Sequence, residues 1–330
     1  MVEALKKRWI ETSQTDQGNY LSKFIEDVRN NCVITREDYI LMVVLALLWT
    51  ILRYAFQFAV FKPFAKLMGM KKINQYKFAE SAWKEMFYFS TWFLTIYILF
   101  IDGRYDYFTR HLSIWKDWSP QLPVPALVYW LYMIQLSFYI HSVYGTLFMD
   151  QWRSDSIVML FHHFLTLCLI AFSHANRFFK IGVLVFFVHD GTDILLEFAK
   201  CNVYMKDRGG FWKEFHDKIS AVVFVAFTIS WFVLRLYWFP LKVVYSGTVG
   251  SVDNHTIPFY FFLNIQLYIL QALNIYWFCY IVLFLIKVVT GELQEMEDIR
   301  EEEVLEKINN KHTVRDNGAR QRKTRTKKEN

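Results

Sequence analysis

The chain has 330 residues, 54% hydrophobic and 19% aromatic, with 32 Phe, 19 Tyr and 12 Trp, which excludes an ordinary soluble globular domain. Its net charge of +6 would suggest nucleic acid in a soluble protein. Here the excess sits in loops and the tail, where it reports orientation in a membrane, and no nucleic-acid partner is expected. Apolar residues come in blocks of about 20, the length that crosses a bilayer core, so the fold class is an all-α polytopic membrane protein. Cys32, Cys168, Cys201 and Cys279 form no CxxC and read as packing residues.

In chain order, residues 1–38 are polar and of mixed charge, without a cleavable signal peptide, and form a first segment with room for an interfacial helix. The first span is 39–61. A basic loop with Lys62, Lys66, Lys71, Lys72 and Lys77 leads to the second, 82–101. An aromatic loop, 102–125, with three prolines, precedes the third span, 126–148, the fourth, 156–173, and the fifth, 178–199. A charged loop with Lys206, Arg208, Lys213 and Lys218 comes before the sixth, 219–244. A Gly/Ser-bearing loop, 245–258, leads to the seventh, 259–289. The count is about seven spans, divided into a first helix, a catalytic membrane domain at 78–292 and a tail at 293–330.

Lys and Arg concentrate after the first and fifth spans, so those loops face the cytosol, the N-terminus is lumenal and the C-terminus cytosolic. Asn254-His255-Thr256 then falls in a lumenal loop, with Asn254 a glycosylation acceptor. The tail is acidic and helical over 292–306, then basic, polar and disordered over 307–330. Lys327 and Lys328, third and fourth from the end, resemble the di-lysine signal that returns membrane proteins to the endoplasmic reticulum.

Two polar clusters interrupt the apolar sequence: His162-His163 in the fourth span, and His189-Asp190 with Asp193 in the fifth. Each ionisable group at membrane depth costs roughly 2.5–3.5 kcal/mol on insertion scales. Gln135, Phe138, Tyr139 and His141 lie in the second half of the third span. At about 1.5 Å rise per residue all three groups reach a similar depth, in the cytosolic half. His189, Asp193 and Glu197, spaced i, i+4, i+8, form one stripe that should face the interior.

A histidine held by a carboxylate is a tuned base or nucleophile, and histidine itself can carry an acyl group. There is no GxSxG, and Cys168 sits in a purely apolar context, so acyl transfer here would use histidine. His174 or His141 taken alone reads as a bridge between helices. Arg53 and Arg235 read as snorkelling or pairing inside the bundle.

Two rival readings remain open at this level. Three His and two Asp could bind iron or zinc, as in metal-dependent membrane hydroxylases and desaturases. Those carry repeated HxxxH and HxxHH boxes, absent here, and no metal is expected. A non-enzymatic lipid-handling protein would tolerate substitution of His162 and Asp193.

At these residues the sequence resembles the ceramide synthases, the longevity-assurance branch of the TLC-domain family. The resemblance runs through Gln135-x-x-Phe138-Tyr139, Arg153-x-Asp155, Met159-x-x-His162-His163-x-x-Thr166, Ser173, Arg177, Gly182, His189-Asp190-x-x-Asp193, Leu196-Glu197-x-x-Lys200 and Tyr204. It continues through Arg208-Gly209-Gly210, the run from Arg235 to Lys242, and Thr290-Gly291-Glu292, where it is most like the type 1 branch. The short segment 62–81 leaves no room for the homeobox-like insertion of many members. Ser154 stands where a second basic residue is common.

The resemblance implies six helices in a bundle around a long acyl cavity, with an additional first helix. It implies N-acylation of sphinganine or sphingosine by long-chain acyl-CoA, with no cofactor beyond that co-substrate, in the endoplasmic reticulum membrane. It is compatible with a homo- or heterodimer in membrane lipid. His162, His163, His189, Asp190 and Asp193 would be catalytic. Gln135, Phe138, Tyr139, His141, Thr166 and Glu197 would line the substrate cavity, and Arg153, Lys200 and Arg208 would meet CoA phosphates. The loop with Tyr245, Ser251 and Thr256 would govern chain length, which in the type 1 branch is eighteen carbons.

Overall fold

The structure, a computed structural model, describes residues 1–15, 20–103, 106–252 and 257–290. Asn254, Thr256, Lys327 and Lys328, with the rest of the tail, lie outside the described residues, so the glycosylation and retrieval readings do too.

Among the described residues the regular elements are helical. Helices α1 (Val2–Thr15) and α2 (Tyr20–Asn31) precede the bundle. Helix α3 (Arg36–Phe56) starts at a capping box: Thr35 Oγ1 accepts from the Asp38 amide at 3.2 Å, and Asp38 accepts from the Thr35 amide at 3.0 Å. The cap satisfies two of the orphaned donors of the first turn. A wide π-type turn, Gln57–Phe61, joins α3 to α4 (Lys62–Leu67), which opens with Pro63 in its first turn, where a missing N–H costs nothing.

Helix α5 (Lys72–Ile96) follows after a short turn at Gly69, whose φ of 75° suits glycine. The basic loop expected at 62–81 is therefore mostly helix, because its lysines alternate with residues that bury, such as Ala65, Asn74 and Phe78. Helices α6 (Ala126–Phe148), α7 (Ser156–Ala175) and α8 (Phe179–Lys206) come next. Helix α9 (Lys213–Trp231) runs on without a break through wide π-type turns to Gly250. Pro240 lies inside this stretch; its missing N–H removes one ladder bond and favours the wider turn. Tyr245 is thus helical and Ser251 caps the helix end, so the loop expected from 245 begins about six residues later. Helix α10 (Tyr260–Val289) closes the chain, entered through Phe259 in the left-handed conformation at φ 56°.

Among the described residues five elements are long and apolar enough to cross a membrane: Arg36–Leu67, Ala126–Phe148, Ser156–Ala175, Lys213–Gly250 and Tyr260–Val288. Helices α5 and α8 have the length but carry more polar residues. Helix α8 is central, packed between α5 and α9, with residues 183, 184, 188, 190 and 192 almost wholly buried. Gly182 lets α8 approach α6, since a Cβ there would land on the Tyr132 hydroxyl.

Candidate active site

A cavity of about 260 Å³ lies inside the bundle. Its walls come from seven helices, α3 and α5 to α10, and the loop after α6. Tyr139 of α6, His162 and His163 of α7, Asp193 and Glu197 of α8, Arg235 of the α9 extension and Trp277 of α10 meet there. The shared depth expected of spans three, four and five is therefore realised as one common wall.

His162 makes no hydrogen bond among the described residues. Its Nδ1 is sealed and without a partner, so Nε2 is the nitrogen that reaches the cavity. The Trp277 ring meets it edge-on, centroids 5.3 Å apart, and Trp277 Nε1 donates to Asp155 Oδ2 at 3.0 Å. His163 turns toward α6, with Nδ1 3.5 Å from Thr146 Oγ1 and its ring against Tyr139.

The carboxylate-held histidine expected from the sequence is not formed. Asp193 accepts from Arg235 Nη2 at 2.5 Å. Arg235 also donates to the His189 carbonyl at 3.0 Å and to Thr192 Oγ1 at 2.7 Å, and it stacks over Trp231. Asp190 faces away from the cavity, where its Oδ2 accepts from Gln135 Nε2 at 2.6 Å and Thr91 Oγ1 at 3.0 Å. His189 Nδ1 donates to the Val185 carbonyl at 2.9 Å, and its Nε2 lies 3.5 Å from Asn274 Nδ2. The physical reason is which neighbour each side chain of α8 meets: Asp193 has the Arg235 guanidinium beside it, while Asp190 and His189 have neutral partners nearer than the cavity imidazoles.

Phe138 lines the cavity, as does Glu197, which pairs with Lys200 at 2.9 Å. Gln135, His141 and Thr166 are not on its wall. His141 Nδ1 meets Thr50 Oγ1 at 2.9 Å, which ties α6 to α3. Thr166 Oγ1 is buried without a partner. Among the described residues no group of three or more His, Cys, Asp or Glu has metal-ligand geometry.

At the Asp150 end the cavity wall meets a charged cluster that sequence reasoning missed. Glu80 accepts from Lys84 at 2.8 Å, from Arg153 at 2.9 Å and from the Gln151 amide at 3.0 Å. Asp150 accepts from Lys84 at 2.9 Å and from Arg53. Asp155, buried two residues past Arg153, lines the same wall, so three cations meet three carboxylates. Arg153 and Lys200 reach the cavity wall; Arg208 does not, donating instead to the Met68 carbonyl at 3.3 Å. The available signal was the Glu80/Lys84 spacing of i, i+4, hidden because residues before 82 read as loop.

Burial alone would push the Asp150 carboxyl up, but Lys84 and Arg53 hold it below its ordinary 3.8. A depressed folded-state value makes the contribution complete above 3.8 and lost as pH falls below it. Asp150→Asn should therefore lower the thermal midpoint of the purified protein at pH 7 and 5, with the gap to wild type closing below pH 3.8. A gap that is constant with pH would refute the ion-pair assignment.

A second cavity of about 60 Å³ lies toward Trp115, almost wholly apolar, between Tyr132, Ser173, Gly182, Gly247, Ser251 and Tyr260. His189 stands edge-on to Phe239, ring centroids 5.0 Å apart, and beside Asn274.

Fold and site together define a polytopic helical membrane protein that encloses a cavity with imidazoles and a cluster of ion pairs in its wall. The TLC domain family profile matches residues 77–283. The chain is 44% identical over 270 residues to ceramide synthase 1 of Homo sapiens, covering 82% of this chain and 77% of the relative. Identity and coverage are the same for ceramide synthase 1 of Mus musculus. It is 30% identical over 243 residues to ceramide synthase 1 LOH3 of Arabidopsis thaliana, covering 70% and 74%. The chain belongs to the ceramide synthase branch of the TLC-domain family, and within it is most like type 1.

Proposed function

We propose that this chain transfers a long-chain acyl group from acyl-CoA to the amine of a sphingoid base, making ceramide in the endoplasmic reticulum membrane. The observation that carries the reading is the unpartnered His162, set in the wall of a largely apolar cavity that also carries Arg53, Lys84 and Arg153. The human and mouse ceramide synthases 1 at 44% identity support the substrates. CoA phosphates meet Lys84, Arg53 and Arg153 at the Asp150 cluster, which faces the cytosol with the C-terminus, while the N-terminus is lumenal.

His162 Nε2 attacks the thioester carbonyl. The C–S bond breaks, and CoA leaves as a thiolate, which takes up the proton shed by the sphingoid ammonium. The free amine attacks the acyl-imidazole; the bond between the acyl carbon and the imidazole breaks as the amide forms, and the second amine proton passes to the released imidazole and from it to solvent. No carboxylate touches His162, so the imidazolium-like charge is met at longer range by Asp193 and by Asp155 behind Trp277. The apolar walls keep water from the acyl-imidazole. Ceramide formation by purified protein from sphinganine and acyl-CoAs of fourteen to twenty-four carbons tests the reading, with the yield expected to centre on eighteen. Folded protein that makes none would favour a non-enzymatic lipid-handling role.

The acyl chain runs from His162 toward Ser173, eleven residues and about 16 Å along α7, and ends in the second cavity. Gly247 and Ser251 line that cavity, which ties the chain-length segment to a physical stop. A Cβ at Gly247 would sit 3.1 Å from Asn264 Oδ1 and 3.2 Å from Leu267 Cδ1. Gly247→Val and Ser251→Phe should therefore shift the acyl-CoA preference to shorter chains. Each CH2 excluded costs about 0.8 kcal/mol of burial, enough to change the product profile by mass spectrometry. An unchanged profile in both variants would place the stop elsewhere.

A further inference from the structure

A separate groove of about 430 Å³ lies on the outer side of the seam between α5 and α8. Phe64, Phe89 and Phe198 line it and are 40%, 51% and 43% exposed. Such a rim belongs against lipid chains. At one end His216 Nδ1 meets Asn202 Oδ1 at 3.0 Å. The acidic residue in the lining is Glu85.

Glu85 Oε2 is buried without a hydrogen-bond partner. Among the described residues no cation lies within ion-pair distance of it: the adjacent Lys84 is committed to Glu80 and Asp150, and Lys200 to Glu197. A buried carboxyl oxygen lacking a donor is costly, and a ligand that brings the donor recovers that cost. Glu197 stands across the seam, close enough to act on Glu85 electrostatically. It lines the inner cavity, and its own Oε2 is likewise buried and unpartnered. Two open acceptors thus flank the seam, one outside and one inside.

The two sites differ in chemistry. The Asp150 cluster offers guanidinium and ammonium donors, which suit phosphates. The groove offers a carboxyl with one unpartnered oxygen among apolar side chains, which suits a single-chain amine that approaches from the bilayer. We infer that this groove is the binding site and lateral entrance for the sphingoid base, with Glu85 holding its ammonium head and Glu197 receiving it on the inner side. The identity of the amine rests on the transfer reaction proposed above.

A diazirine-bearing sphinganine analogue, photolysed with the full chain in lipid nanodiscs and mapped by peptide mass spectrometry, tests this. Labelling is expected on residues 85–90 and 198–205, displaced by sphinganine but not by uncharged N-acetylsphinganine. Glu85→Gln should reduce it about tenfold, and should raise the KM for sphinganine about tenfold with the KM for acyl-CoA unchanged, as expected for loss of a charge-assisted hydrogen bond. Labelling confined to the Asp150 cluster, undiminished labelling in folded Glu85→Gln, or equal displacement by N-acetylsphinganine or phosphatidylethanolamine would overturn the proposal. Should the variant fail to fold, the wild-type map and its competition decide. Labelling requires no turnover: a chain that labels in the groove but makes no ceramide refutes the reaction, and one that makes ceramide but labels elsewhere refutes the groove.

Discussion

Replacing His162 by Ala is expected to abolish ceramide formation by the purified protein, by a factor of roughly a thousand or more, as for removal of a nucleophile or its base. The expectation rests on position. His162 presents Nε2 to the cavity, no neighbouring side chain competes for that nitrogen, no cysteine lines the cavity, and its serines, Ser142, Ser156 and Ser220, are each bonded to backbone. His163→Ala should cost far less, about tenfold, because its ring is directed at Thr146 and Tyr139. Intact-mass measurement after incubation with acyl-CoA and no amine separates the two chemical roles. An acyl adduct on wild type that is missing from His162→Ala identifies the nucleophile. An inactive variant with no adduct on wild type makes His162 the base toward the amine. Undiminished turnover in the variant would remove His162 from the reaction altogether.

The second large effect is expected at Arg235. Its guanidinium is 3% exposed, yet it bonds Asp193, the His189 carbonyl and Thr192, and covers the Trp231 face. One side chain thereby fixes the orientation of the polar turn of α8 against the α9 extension. Removing one partner of a buried ion pair leaves an uncompensated charge and costs about 3–5 kcal/mol, a large share of the roughly 5–15 kcal/mol that holds a domain. Arg235→Ala should thus lower the thermal midpoint sharply and eliminate activity. Arg235→Lys should not rescue, since an ammonium cannot reproduce the planar fork of donors. Arg235→Met combined with Asp193→Leu should recover most of the stability but not the activity, because Asp193 lines the reaction cavity. A single Arg235→Ala protein as stable as wild type would show that the pair contributes little to the fold.

Much of this molecule is legible from sequence because lipid imposes simple demands. Apolar blocks of bilayer length marked the long helices to within a few residues at α6, α7 and α10. Tyr139, His162, His163 and Asp193 share one cavity wall, at the common depth that a fixed rise per residue gives once a span is anchored. Element ends were harder to place. Helix α5 begins ten residues before its apolar block, and the α9 extension runs past Val244 through Gly250, because backbone bonds continue wherever the next turn still packs.

What only the tertiary structure decided is azimuth and partnership. The spacing of His189, Asp193 and Glu197 places them on one stripe but does not say which neighbour each meets. Asp193 found Arg235, 42 residues on, and Asp190 found Gln135 and Thr91, 55 and 99 residues back. That left His162 without a carboxylate. The charged cluster joins residues from α3, α5 and the loop after α6, a long-range arrangement with no local period. Composition and periodicity determined that the chain is a helical membrane protein with histidines at one depth. Long-range charge pairing, which depends on how the helices rotate against one another, decided which of those groups face the cavity.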